Sequence, residues 1–313
     1  MTARWSVVVP YYNEADGFLE PMLRSLLAQS VRPLTLILVD NNSSDASAEI
    51  ARAVTAQVPD VTILHLHEPR AGQVYALEAG LAAVETEFVA VCDADTIYPP
   101  QYLANAERLF DRHGPRVVAV LAMGVGPDPT RWQARLKRWK GVVMSRLLPG
   151  QAHTGGYAHC FRTAALRAAG GYSKALWPYL LKDHELIHRV LKQGRTLYDA
   201  DQWCQPSDRR ADRTAVRWTL PERLLYHLTP FAAKDWFFYR FLARRFEARQ
   251  MSDIKLRQRA WEKPGTGNQG RCGPSSARHA SSSGSRRKRR SSWHTARRQT
   301  AAAGRATAPC DSP

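Results

Sequence analysis

Paired cysteines are missing from this chain. Its five, Cys92, Cys160, Cys204, Cys272 and Cys310, share no regular spacing, and an odd count with two near the C-terminus argues against a disulfide framework. A reducing, cytosolic setting is expected. Also missing is any apolar run near the roughly 20 residues that cross a bilayer, and with the first strand beginning by Trp5 no signal peptide is expected. The expectation is a soluble protein, or one peripheral to the inner face of a membrane. His65, His67, His113, His153, His159, His184, His188 and His227 fall at no metal-ligand spacing and read as ordinary core or surface residues.

Large apolar residues run out at Lys263. Beyond it only Trp293 interrupts Gly, Ser, Arg, Thr and Ala, so residues 263–313 cannot build a core and are expected to be disordered. Acids are scarce there too: 11 Lys and Arg face Asp311 alone, a net +10 that leaves about +7 of the chain's +17 for everything else. Arg286-Arg287-Lys288-Arg289-Arg290 could bind nucleic acid or an anionic membrane. The aperiodic composition, starting abruptly after a patterned helix, reads more readily as an extension translated from a shifted frame of a GC-rich gene.

The first 260 or so residues are patterned throughout. Trp5–Pro10 reads as a buried strand, and Phe18, Leu19, Met22, Leu23, Leu26 and Leu27 then share one helical face. Leu34–Val39 is strand-like and ends in Asp40; Asn41 to Asp45 offers cap chemistry for a helix over about 46–57. Val61–Leu66 and Phe88–Cys92 continue as strands, with helices over Val74–Val84 and Tyr102–Arg112. This alternation predicts a largely parallel sheet with helices on both faces. It loosens after Val117–Met123: a basic helix over Trp132–Leu147, a turn at Gly155-Gly156, and a helix stop at Gly170-Gly171. A helix over Lys182–Lys192 and a short strand over Arg195–Tyr198 follow. Pro221–Arg249, rich in Leu, Phe and Trp among cations, reads as an amphipathic extension that packs on the main domain or lies on a membrane surface.

The strand Phe88–Cys92 runs into Asp93-Ala94-Asp95, which sets two carboxylates where a divalent cation could be held against a diphosphate. With 16 Asp in the chain about one such tripeptide arises by chance, and a second stands at Asp199 to Asp201. The neighbourhood of the first gives it weight. Val8-Val9-Pro10-Tyr11-Tyr12-Asn13-Glu14, Val39 to Asp45, Asp93-Ala94-Asp95, Gly170-Gly171-Tyr172 and Asp183-His184-Glu185-Leu186-Ile187-His188-Arg189 together resemble the family 2 glycosyltransferases over about residues 4–220.

That resemblance implies an α/β, GT-A-like domain over 1–220, an amphipathic helical extension over 221–262 and the basic tail over 263–313. The implied activity is inverting transfer of one sugar from a nucleotide-diphospho-sugar to a lipid-linked or saccharide acceptor of a cell-envelope or exopolysaccharide glycan. Pro10, Tyr12, Glu14, Asp40 and Asn42 would hold base and ribose, Asp93 the sugar ribose, and Arg70 the phosphates; Arg210, in Ser207-Asp208-Arg209-Arg210, stands where relatives have a mobile segment closing over the substrate and would bind the nucleotide sugar. Asp95 would meet Mg2+ or Mn2+. Asn41 stands where many relatives carry a second acid. Trp203 and Cys204 stand near where many carry a His ligand, so water is expected to complete the metal shell. Asp183 matches the general base, with Lys182 in place of the usual preceding Glu; such a Lys favours ionised Asp183. Glu185 and Arg189 read as a structural i,i+4 pair. Thr214, in place of the first residue of a Gln-x-x-Arg-Trp pattern ending in Arg217-Trp218, argues against a polymerising synthase.

Two other functional classes fit the sequence less well. A sugar-nucleotide nucleotidyltransferase would need a Gly-rich basic loop after the first strand, and Tyr11-Tyr12-Asn13-Glu14 offers none. A nucleic-acid-binding protein would fit the pI near 10.1, but the basicity is concentrated in the tail without interleaved aromatics.

Overall fold

Every residue of β1 (Trp5–Tyr11) is buried, the pattern of a strand covered on both faces. The computed structural model describes residues 2–126, 128–207, 218–252 and 254. The chain divides into Met1–Lys263 and Pro264–Pro313, the second lying wholly outside the described residues. After β1 come α1 (Leu19–Leu27), β2 (Leu34–Asp40), α2 (Ser47–Thr55), β3 (Val61–His67), α3 (Gln73–Ala82) and β4 (Phe88–Cys92). β2 and β4 flank β1 in parallel, and β3 extends the sheet beyond β2.

Side chains of β1 alternate between two cores. Trp5, Val7, Val9 and Tyr11 pack with α1, while Val8 joins Ile37, Val39 and α3 on the other face. α3 approaches so closely that a Cβ on Gly80 would stand 2.5 Å from Val8 Cγ1. A larger residue there would push the helix off the sheet.

The second half departs from simple alternation. β5 (Thr96–Ile97), α4 (Tyr102–His113), β6 (Val117–Leu121), β7 (Met123–Gly124) and α5 (Trp132–Leu147) lead to β8 (Ala158–Arg162), a strand the hydrophobic pattern did not announce. β8 inserts antiparallel between β4 and β6, giving the order β3-β2-β1-β4-β8-β6-β9. Then follow α6 (Thr163–Ala168), α7 (Lys182–Leu191), β9 (Arg195–Leu197) and β10 (Trp203–Pro206). β10 joins β5 and β7 in a second small sheet. The single strand expected over Val117–Met123 is thus divided, because β6 stays in the main sheet while β7 pairs with β10.

The segment after Trp218 runs through α8 (Leu220–Leu228), a 3-10 turn (Phe231–Ala233), α9 (Lys234–Trp236), a π-helical stretch (Phe237–Leu242) and α10 (Ala243–Ala248). Its inner face packs on the domain: Tyr226, Phe237, Phe238, Leu242 and Phe246 surround Trp177 and Leu180. Buried Glu222 ion-pairs with Arg245 and Arg249. Asp235 lies 2.7 Å from Nε2 of His188 on α7 and 2.6 Å from Nζ of Lys192, which caps that helix.

Candidate active site

The sheet changes direction between β1 and β4, since the chain runs outward from β1 through β2 to β3 and then returns to place β4 on the other side. Ligands of open α/β sheets bind beyond the strands' carboxyl ends at such a point. β1 pairs with β4 only over Trp5–Val8 but with β2 over Trp5–Tyr11. Pro10 therefore sits past the last β4 partner, where a missing N–H is tolerated.

Two loops at this edge are laced together. Asn13, at φ +49°, accepts on Oδ1 from Ser44 N at 2.8 Å and donates its own N–H to Ser43 Oγ at 3.1 Å. Glu14 N donates to Ser47 Oγ at 2.7 Å, and Asp45 takes the N–H groups of Ala15 and Ser47 at 3.0 Å. Asn13 and Asp45 thus build the loops that carry partly buried Tyr12 and Glu14 and exposed Asn42, itself at φ +62°.

Asp40 ends β2 beneath them. Its Oδ1 accepts from Ser43 N at 3.0 Å and its Oδ2 lies 3.1 Å from His67 Nδ1. The neighbouring Asn41 holds the 68–72 loop: its amide donates to the carbonyls of Glu68 and Arg70 at 3.1 and 2.7 Å, and its oxygen accepts from Gly72 N at 3.0 Å. An Asp could accept from Gly72 but could not donate to the two carbonyls. Arg70 forms a fork with buried Glu68, both bonds 2.8 Å, and holds that carboxyl below the usual range. In this state the guanidinium expected at the phosphates is paired within its own loop.

Asp93 and Asp95 follow β4. Tyr98 fixes the turn, its hydroxyl accepting from Asp93 N at 2.9 Å and donating to the Tyr157 carbonyl at 2.6 Å. Gln73, the first residue of α3, donates to Asp93 Oδ1 at 3.1 Å and accepts from Lys182 Nζ at 2.8 Å. This links the Asp93 turn to the start of α7. Ser207, immediately after β10, donates from Oγ to Asp95 Oδ2 at 2.8 Å and from N to Asp95 O at 2.9 Å. Ser207 is the residue at Asp95, whereas Cys204 is fully buried in the core; the pairing of Pro206 with Thr96 sets this register.

Asp183 lies in the opening turn of α7, two residues after the N-cap Leu181 at φ +60°. A left-handed conformation at a bulky residue is strained, and it turns the chain so that the helix starts at the crevice. The Tyr172 hydroxyl donates to Asp183 Oδ1 at 2.8 Å. On another side is Gly156, whose Cβ, if present, would stand 1.9 Å from Oδ1. Burial raises the carboxyl's pKa, but Lys182, His159 and the Tyr172 hydroxyl together outweigh it and leave Asp183 below the ordinary value. It is ionised at neutral pH.

Two histidines read as ordinary from their spacing belong to this centre. His159, the second residue of β8, is fully buried. Burial lowers its pKa, against the opposing pull of Asp183 and Asp93. His184 is pushed down to about 4 by burial, with Nδ1 3.2 Å from the Tyr226 hydroxyl of α8. Spacing could not reveal either, because the alignment comes from β8 and α8. Tyr172 did carry a signal, standing in the Gly170-Gly171-Tyr172 motif. Gln73 carried none, and Gly156 only that of a turn.

Glu185 and Arg189 form the expected pair, bonded at 2.7 and 2.8 Å. Arg189 also reaches the Gly171 carbonyl at 2.8 Å, which ties α7 to the turn bearing Tyr172. Arg210, Thr214 and Arg217 lie outside the described residues. Among the described residues no helix is long and apolar enough to cross a membrane.

Known proteins bear on this arrangement. The solved structure of the mannosyltransferase PcManGT from Pyrobaculum calidifontis, in complex with GDP-Man and Mn2+, superposes with a TM-score of 0.57 at 22% identity, covering 75% of this chain and 69% of that one. The fold is thus the GT-A fold. In sequence, the chain is 34% identical over 165 residues to the uncharacterized glycosyltransferase YibD of Escherichia coli (strain K12), covering 45% of this chain and 47% of that protein. It is 31% identical over 147 residues to the undecaprenyl-phosphate 4-deoxy-4-formamido-L-arabinose transferase of Edwardsiella ictaluri (strain 93-146), covering 46% and 42%. The chain spans less than half the length of these two relatives. The family model for glycosyl transferase family 2 matches residues 6–169, more than half of the 313 residues, and with the strand-edge carboxylates in place the chain belongs to glycosyl transferase family 2.

Proposed function

We propose that this protein is an inverting glycosyltransferase that moves one sugar from a nucleotide-diphospho-sugar to a hydroxyl of a lipid-linked or saccharide acceptor. One observation carries the reading. Asp183 and the Asp93–Asp95 turn, on separate elements, meet at the sheet's switch point through Gln73 and Lys182.

The chemistry follows from these positions. Asp183 takes the proton of the acceptor hydroxyl while that oxygen bonds to the anomeric carbon. The bond from that carbon to the diphosphate oxygen breaks, and the nucleoside diphosphate leaves with the electron pair from the opposite face, which inverts configuration. Tyr172 and Gly156 hold the carboxylate in place. The Pro10–Glu14 loop, Asp40 and Asn42 hold base and ribose, and Asp93 the ribose of the donor. Arg70 would exchange Glu68 for a phosphate, a change between two charge-assisted partners.

A divalent ion fits the residues at this edge. Asp95 offers a carboxylate already hydrogen-bonded by Ser207, and Mg2+ or Mn2+ prefers such hard oxygen donors. No group of three or more His, Cys, Asp or Glu among the described residues could hold a metal alone, so phosphate oxygens and water would share the ion. When bound, it would offset charge on the leaving diphosphate. The complex of PcManGT with GDP-Man and Mn2+ supports this choice, and the name of the Edwardsiella relative supports a lipid-linked acceptor.

The test is a thermal-shift screen of nucleotide sugars with Mn2+, followed by an assay for nucleoside diphosphate release. Stabilisation by one donor and its turnover support the reading. Pyrophosphate release from a nucleoside triphosphate and a sugar phosphate would replace it with nucleotidyl transfer.

A further inference from the structure

α5 is amphipathic in the reverse of the usual sense. Its inner face is small: Ala134 and Val142 are buried, and Gly141 lies so close to Met123 that a Cβ would overlap its side chain. Its outer face carries Trp132, Leu136, Trp139 and Leu147, at 69%, 51%, 62% and 67% exposure. These stand at i, i+4, i+7 and i+15, one stripe of the helix. Flanking the stripe are exposed Arg135, Lys137, Lys140 and Arg146, whereas Arg138 turns inward over the Trp203 ring; the helix has no acid.

α8 repeats the arrangement. Glu222 and Tyr226 face inward, while Leu220, Leu224 and Leu228 are 70%, 52% and 75% exposed. The helices meet near their C-terminal ends. Gln151 Nε2 donates to the His227 carbonyl at 3.0 Å, His227 Nδ1 lies 2.8 Å from Gln151 Oε1, and Gly150 lies against Phe231, which is also exposed.

From these surfaces we infer that the α5 and α8 outer faces dock on a bilayer bearing anionic phospholipid headgroups. Exposed Trp and Leu bordered by Lys and Arg is the composition of a helix lying in the headgroup layer, apolar side chains inserted and cations against phosphate. A second copy is a poorer occupant, because two copies of the acid-free, cationic α5 would face each other. The inner face of α8 contacts His184, next to Asp183, through Tyr226. Docking would thus leave α8 between the base and the headgroups. The inference goes beyond the acceptor reading and holds whether or not the acceptor is lipid-linked.

Co-sedimentation of the full chain with phosphatidylcholine vesicles, with and without phosphatidylglycerol, tests it. The protein should bind the anionic vesicles and keep part of that binding at about 0.5 M salt, where exposed charges are largely screened. Trp132→Ser/Trp139→Ser and Leu224→Ser/Leu228→Ser should each weaken binding by on the order of 10-fold or more and remove the salt-resistant part. Lys137→Glu/Lys140→Glu should weaken it at low salt, and this pair decides the matter if the serine variants misfold. Serine variants that bind like the wild type would overturn the inference, pointing to the Arg286–Arg290 cluster alone. Serine variants that turn a dimer into a monomer without altering vesicle binding would overturn it in favour of self-association.

Discussion

The Tyr172 hydroxyl donates to Asp183 Oδ1 at 2.8 Å across the turn between α6 and α7. Tyr172 is itself buried, so its hydroxyl is a fixed donor to the charged form of the carboxylate. Arg189 anchors the same turn through the Gly171 carbonyl and fastens it to α7 through Glu185. The buried Glu185–Arg189 pair thus maintains the Tyr172–Asp183 geometry without touching Asp183.

Asp183→Asn should melt nearly as the wild type, because Asn keeps the shape at the start of α7. Donor binding should persist in a thermal-shift titration. Turnover should fall by on the order of 10²-fold or more, since the amide cannot accept the proton. Wild-type turnover would remove Asp183 from the mechanism.

Gly156→Ala places a methyl where Asp183 Oδ1 lies 1.9 Å away. The carboxylate must move, and a displacement near 1 Å costs on the order of 10²-fold in rate. Tyr172→Phe removes a donor to the charged form, so the Asp183 pKa should rise. The acid limb of its pH–rate profile should then shift upward from that of the wild type, where Lys182, His159 and the Tyr172 hydroxyl hold the Asp183 carboxyl low. An unshifted limb in Tyr172→Phe would assign the hydroxyl a packing role only.

Asp95→Asn should weaken donor binding in Mn2+ titrations and leave a smaller difference on adding chelator, since one of the ion's hard ligands loses its charge. Ser207→Ala should leave binding metal-dependent and frees Oδ2 of its 2.8 Å donor. Donor affinity that is identical with and without chelator in the wild type would exclude the ion.

Acid should destabilise the protein through its buried histidines. Burial depresses His184 from 6.5 to about 4 and lowers His153, His159 and His188 as well. Above pH 6.5 these groups are neutral in both states and the stability is intact. As pH falls from 6.5 toward 4 the unfolded chain binds protons that the folded chain refuses, so stability is lost across that window. His184 alone accounts for up to about 3 kcal/mol. Melting temperatures at pH 7.5 and 5.0 should differ, and His184→Gln should reduce the difference; an equal slope would refute its part in it.

The sequence by itself determined the alternation of the first half, because strands buried on both faces and helices with one apolar face leave different periods. It also set Asp40 and Asp93 at strand ends, and it marked α5 from Trp132 to Leu147. Which face of α5 turns inward was not written in that pattern: Gly141 against Met123 decides it, and leaves the tryptophans outside. Only the tertiary structure placed β8 antiparallel in the sheet, because strand direction depends on where the chain re-enters and not on local preference. The same holds for Ser207 at Asp95, Gln73 between Asp93 and Lys182, and Gly156 against Asp183. Each partner there is a small or neutral residue with no periodic signature, and its role exists only once distant elements have closed around the carboxylates.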